Sequence, residues 1–200
     1  FYYATAVGQG ALYKNTASNN TAVGYYALLN NTSGTPNDAF GYQALYNNTT
    51  GAFNVAVGYQ STYNNTTGSN NTSLGAQSNG GGGAGTSSFS NSTAIGTYAL
   101  WKNTANSNTA VGQGSLQNNT TGTPNDAFGY QALYSNTTGA QNVAVGAYAL
   151  YNNTVANYSV GVGYQALYSN TTGASNTAVG RAALYLNSVG TKNTAVGEGA

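Results

Sequence analysis

A large apolar residue followed by glycine returns every 17 residues along this chain. The glycines are Gly8, Gly24, Gly41, Gly58, Gly75, Gly96, Gly112, Gly129, Gly146, Gly163, Gly180 and Gly197, with one spacing of 21 after Gly75 and two of 16. The aligned copies share the consensus N-T-A-V-G-Y-Q-A-L-Y-N-N-T-T-G-A-x, and Thr35 to Tyr46 recurs unchanged at Thr123 to Tyr134, five repeats on. A unit of 17 residues is too short for a helix pair, and its apolar positions do not follow helical spacing. It suits one coil of a parallel β-solenoid, where stacking turns every alignment column into a ladder. The sequence therefore predicts an all-β fold: one parallel β-solenoid of about twelve coils, spanning 1–200 as a single domain. At ~4.8 Å per coil the rod would be on the order of 53 Å long.

Within each coil, T-A-V and A-L-Y read as the two strand segments. The glycine after Val and the glycine of T-T-G read as turns where positive φ is cheap. Ala and one Val per coil would fill a thin interior. Four residues before the glycine, Asn20, Asn37, Asn54, Asn71, Asn108, Asn125, Asn142, Asn176 and Asn193 form a column suited to amide-to-amide hydrogen bonding. Five after it, Tyr46, Tyr63, Trp101, Tyr134, Tyr151, Tyr168 and Tyr185 form a column suited to ring stacking. The long spacing falls in Gln77 to Asn91, which loses the Leu, aromatic and Asn columns together and reads as an irregular coil with a bulged loop. Its Gly80–Gly83 run is not a phosphate loop, because no G-K-[ST] follows.

Composition agrees with a ladder protein and excludes most chemistry. Leu, Ile, Val and Phe number only 31 of 200 residues, while Asn and Thr number 30 and 27. Charged residues make up 4% and the net charge is +1, so there is no footprint for nucleic acid. Charges suit ladders poorly, because like charges would sit one coil apart. Without Cys or His there is no disulfide framework, thiolate nucleophile, zinc ribbon or Ser-His-Asp triad. No apolar run is long enough for a membrane-spanning helix. The chain opens and closes inside a repeat with no signal peptide, which reads as a segment of a longer precursor.

The copies at Asn20–Gly24, Asn108–Gly112 and Asn193–Gly197, with alanine three after the glycine at Ala27, Ala44, Ala132 and Ala166, resemble the N-S-V-A-I-G-x-x-A repeats of trimeric autotransporter adhesin heads of the YadA type. The resemblance runs over nearly the whole chain. It implies a left-handed parallel β-roll, three chains side by side and a surface-exposed adhesive or structural role. The period of 17 exceeds the family's usual 14 or so by an N-N-T-T-G arm. The family's first apolar residue is mostly Thr here, with Asp38, Asp126, Val55, Val143 and Val160 as variants. Both departures bear on the trimer contact, leaving a single-chain solenoid as the alternative.

Candidate sites are few. Asp38, Asp126 and Glu198 are the only carboxylates. Asp38 and Asp126 lie five coils apart, roughly 24 Å, too far to act as a glycosidase pair. N-x-S/T sequons are dense, and in adjacent Asn pairs the first residue is the better glycan acceptor: Asn30, Asn47, Asn64, Asn118 and Asn152. The second Asn of each pair reads as an inward ladder. A Thr column from Thr16 to Thr171 offers a minor reading as an ice-binding face. No catalytic residue, cofactor or metal ligand is assigned. The expectation is a self-associating structural segment of an extracellular or cell-surface filament, end to end or as a homotrimer. The alternative is an adhesin head that binds matrix or host glycans.

Overall fold

The computed structural model describes residues 3–80, 82 and 87–200. Its strands are β1 Thr5–Val7, β2 Asn20–Val23, β3 Asn37–Phe40, β4 Asn54–Val57, β5 Thr72–Leu74, β6 Thr93–Ile95, β7 Thr109–Val111, β8 Asn125–Phe128, β9 Asn142–Val145, β10 Val160–Val162, β11 Thr177–Val179 and β12 Thr194–Val196. They form one parallel sheet in chain order, so the fold is the all-β parallel solenoid that the period implies. Each strand pairs with the same column of the next coil, as in Asn37↔Asn54, Asp38↔Val55, Ala39↔Ala56 and Phe40↔Val57. The long spacing does not disturb this register: Thr72, Ser73 and Leu74 pair with Thr93, Ala94 and Ile95. Within the irregular segment, residues 81 and 83–86 lie outside the described residues. On either side of them, Gln77–Gly80 and Ser87–Asn91 keep their rungs, with Asn65 bridging Ser87.

Among the described residues, only one strand forms per coil. A-L-Y is not extended, because its Leu is left-handed at nearly every coil, with φ 52° at Leu45 and 51° at Leu133. The residue two before that Leu, such as Gln43 at φ 55°, is left-handed too. The two conformations send their amides to opposite neighbours. Gln43 N–H donates down to Tyr25 O at 2.9 Å, and Leu45 N–H donates up to Ser61 O at 3.0 Å. The main chain is thus satisfied from coil to coil without a second sheet. A left-handed Leu costs about 1–2 kcal/mol. Its full burial returns about 1.5–3 kcal/mol, and the inter-coil hydrogen bond adds to that.

The two glycine columns have different causes. Glycine after Val is required by conformation, with φ of +137° at Gly41 and +142° at Gly129, where side chains are strained. The T-T-G glycines are not at positive φ. They sit where a Cβ would crowd the next coil's carbonyl and an asparagine amide, as at Gly51 against Gly68 and Asn48. Ala17, Phe89, Ala105 and Ala156 occupy that column in four coils, so space rather than φ decides it there.

The interior also differs from expectation. Strand residues alternate, so Ala22, Ala39 and Ala56 point inward and are fully buried, while Val or Phe of the same strands points out. Phe40 is 40% exposed and Phe128 41%. Leu replaces Val as the main filler, packed against alanines from both sides of the coil. Two apolar blocks result. One contains Ala22, Leu28, Leu45 and Ala56, and the other runs from Ala94 and Leu100 to Leu167 and Ala183. Between them the filling is mostly polar: Ser61, Thr62, Ser73, Ser78 and Asn79 are all buried, along with Phe89.

Candidate functional site: the side-chain ladders

Two asparagine columns line the interior of the coil. In the strand column, Asn20, Asn37, Asn54, Asn71, Asn108, Asn125, Asn142 and Asn176 are buried and Asn193 is half-buried. Oδ1 of Asn37 accepts from the backbone N–H of Asn54 at 3.0 Å and from its side-chain amide at 3.1 Å. The second Asn of each N-N pair faces it across the coil. Nδ2 of Asn37 and of Asn48 both donate to Gly51 O, at 2.8 and 3.0 Å. N-N-T-T-G is therefore a wall of the coil rather than a projecting arm.

The first Asn of each pair, Asn30, Asn47, Asn64, Asn118 and Asn152, is half-buried on the outside. Asn30 Nδ2 donates to Asn47 Oδ1 at 3.4 Å, and Asn47 Nδ2 to Asn64 Oδ1 at 3.2 Å. Asn118 Nδ2 donates instead to Tyr134 O at 3.0 Å. Beside them, each Thr hydroxyl donates to the backbone carbonyl one coil on: Thr32 to Thr49 O at 3.0 Å, and Thr120 to Thr137 O at 2.9 Å. The donors an ice-like face would present are thus committed within the chain.

The aromatic column stacks in two runs. Tyr46 and Tyr63 lie 5.1 Å apart at 9°. Tyr134, Tyr151, Tyr168 and Tyr185 follow one another at 5.2 Å and 5–7°. Trp101 stands between the runs, with Tyr98 edge-on at 5.8 Å and Lys102 Nζ 5.7 Å from its ring. Three rungs lack an aromatic: Leu29, Gly80 and Gln117. A second row of rings, Tyr25, Tyr42 and Tyr59, stacks at 5.3 Å on the solvent side. Burial raises the phenol pKa of Tyr63 and Tyr151 above the ordinary 10.0, and neighbouring ladder tyrosines raise it further.

Charged groups are scattered. Asp38 and Asp126 occupy outward strand positions whose partners one coil away are Thr and Val. Arg181 and Glu198 form an exposed ion pair across one coil, of a kind worth about 0–1 kcal/mol. Among the described residues no three His, Cys, Asp or Glu side chains gather as a metal site, and no helix is long and apolar enough to cross a membrane. The alignment columns missed the polar section at Thr62 and Asn79. Its signal was present, because both residues interrupt the Leu column. The chain matches no known protein family, no curated protein and no solved structure.

Proposed function

We propose that this chain is a structural segment of an extracellular fibre, built to extend and to associate with copies of itself. The observation that carries this is the uninterrupted twelve-strand ladder, in which every coil offers its neighbour the same register. The outer face of that sheet supports lateral association. Val, Phe and Leu side chains form a stripe along it, including Phe40, Leu74, Phe128 and Val145, each at least 39% exposed. A stripe that runs the length of a rod suits the same stripe on another copy. This is the geometry that the resemblance to adhesin heads also implies. Glycans on Asn30, Asn47, Asn64, Asn118 or Asn152 would lie away from that face. At about 4.8 Å per coil, glycans on successive coils would compete for one volume, so alternate coils would carry them.

Electron microscopy and sedimentation over a concentration series test the proposal. Rods that lengthen or bundle with concentration are expected, and Phe40→Thr with Phe128→Thr should reduce bundling. A monodisperse monomer at every concentration would remove the fibre reading. A second reading, adhesion to glycans, is favoured by the solvent-facing stack of Tyr25, Tyr42 and Tyr59. Retention of the chain on immobilised matrix glycans, lost in Tyr42→Ala, would support it.

A further inference from the structure

The chain has no Cys and no Met, while Tyr numbers 18 and Trp one. The sulfur side chains that usually absorb oxidants are therefore missing, which leaves the phenols and one indole as the oxidisable groups.

The phenols gather into two ring networks, one in each half of the rod. In the second half, the inner stack runs from Tyr134 through Tyr151 and Tyr168 to Tyr185 at 5.2 Å per step. Tyr130 and Tyr164 lie outside that stack and are 41% and 46% exposed. Tyr148 joins the two sets. Its ring centroid lies 5.7 Å from Tyr151 and 6.5 Å from Tyr168 on one side, and 5.2 Å from Tyr130 and 6.1 Å from Tyr164 on the other. Among the described residues no other ring contact links this stack to the exposed rings. Tyr26 bridges in the same way in the first half, 3.9 Å from Tyr25 of the outer row and 6.3 Å from Tyr46 of the inner column. Both bridging residues sit in the left-handed position two after the glycine, at φ 57° and 60°, where most other coils hold Gln or Gly.

We propose that these networks pass one-electron oxidation between inner and outer tyrosines and end it as dityrosine cross-links between copies of the chain. An oxidant takes an electron from one phenol, the proton goes to water, and a phenoxyl radical remains. A neighbouring phenol then gives up an electron and a proton, so the first ring returns to phenol and the radical has moved one place. Two phenoxyls on different copies join through their ortho carbons, and the hydrogens on those carbons shift to the ring oxygens. The sum is two phenols to one dityrosine, two electrons and two protons. Hydrogen peroxide, acting through a peroxidase, takes these up as two waters.

Geometry sends the coupling to the outer rings. Stacked rungs hold their rings face to face at 5–7°, whereas the new bond lies in the plane of each ring, so stacked neighbours cannot form it in register. Tyr148 stands at 83° and 85° to Tyr130 and Tyr164, edge against face, which excludes those pairs too. Tyr130 and Tyr164 lie two coils apart, about 10 Å, so each finds its partner on another copy. The chemistry needs only encounters between copies and stands whether or not the rods assemble into fibres.

The absence of native cysteine lets a single thiol carry a photo-oxidant. A ruthenium tris-bipyridyl label on Leu186→Cys, next to Tyr185 at the end of the stack, is flashed with a sacrificial electron acceptor, and dityrosine is mapped by tandem mass spectrometry. Covalent dimers joined at Tyr130 or Tyr164 are expected. Tyr148→Phe keeps the ring and removes the phenol, so it should lose those cross-links while Tyr185 is still oxidised. With free peroxidase and hydrogen peroxide, which reach the exposed rings directly, Tyr148→Phe should still cross-link. Tyr98→Phe, outside both networks, should change nothing. If Tyr148→Phe unfolds, Tyr130→Phe with Tyr164→Phe carries the test and should lose the covalent dimer. Sedimentation before the flash records assembly separately. The proposal is overturned by oxidation confined to Tyr185, by unchanged cross-links at Tyr130 and Tyr164 in Tyr148→Phe, or by dityrosine formed mainly between stacked neighbours.

Discussion

Asn142 donates twice to one oxygen of Asn125: its backbone N–H lies 3.0 Å from Oδ1 and its side-chain amide 3.2 Å. Asn125 in turn donates from Nδ2 to Gly139 O at 2.8 Å. A buried rung thus needs an acceptor and a donor on one short side chain. Asp would lack the donor and stack charge at coil spacing, and Leu would lack both. Asn125→Ala leaves the buried N–H of Asn142 without its acceptor. It should cost about 2–4 kcal/mol. Urea unfolding checks this, and a shift within experimental scatter would mean the ladder contributes no stability.

The polar section between the two apolar blocks points the other way. Both amide atoms of buried Asn79 and the hydroxyl of Thr62 have no hydrogen-bond partner among the described residues. Asn79 occupies the Leu column at φ 47°, a conformation its Leu counterparts already adopt. Asn79→Leu should therefore stabilise the rod by roughly 2 kcal/mol or more. A lower melting temperature would show that this amide has a partner the described residues do not include.

The glycine columns should respond unequally to the same change. Gly129→Ala places a Cβ at φ +142° and 2.5 Å from the carbonyl oxygen of Gly146. It should destabilise by about 3 kcal/mol or more, from backbone strain and overlap together. Gly122→Ala also overlaps a carbonyl oxygen, that of Gly139, and more closely, but it carries no positive-φ strain, and Ala105 and Ala156 show that its column can take a Cβ, so it should cost less. Equal losses in the two variants would refute the separation of conformation from space.

Stability should fall in strong alkali. The pKa of Tyr63 and Tyr151 is raised in the fold, first by burial and then by neighbouring phenols. Above pH 10 an unfolded phenol loses its proton while the folded one keeps it. Unfolding then releases protons, so the stabilisation is complete below pH 10 and is lost as pH rises through the folded values. Melting temperatures from pH 8 to 12 should drop in step with tyrosinate absorbance, and a flat profile would contradict the shifts.

The period alone made the solenoid, its register and its strand column legible, because a ladder reads out as a repeat. The other side of the coil was not. A-L-Y looks extended by composition, and nothing in a Leu announces φ near +50°. That conformation is stable only because the neighbouring coil supplies Ala or Ser carbonyls in place. The inward role of Val failed for a related reason. Ala and Asn already claim the inner face of each strand, and alternation sends Val outward.

Every strand lies across the rod while its hydrogen bonds run along it. A pull on the two ends therefore loads the bonds of one terminal coil at a time, as in opening a zip. Each coil that yields gives up about 4.8 Å of rod and frees 17 residues of chain, a net gain of roughly 50 Å. Such a rod would meet sudden tension by paying out length in even steps at nearly constant force, which optical tweezers would record as a regular sawtooth.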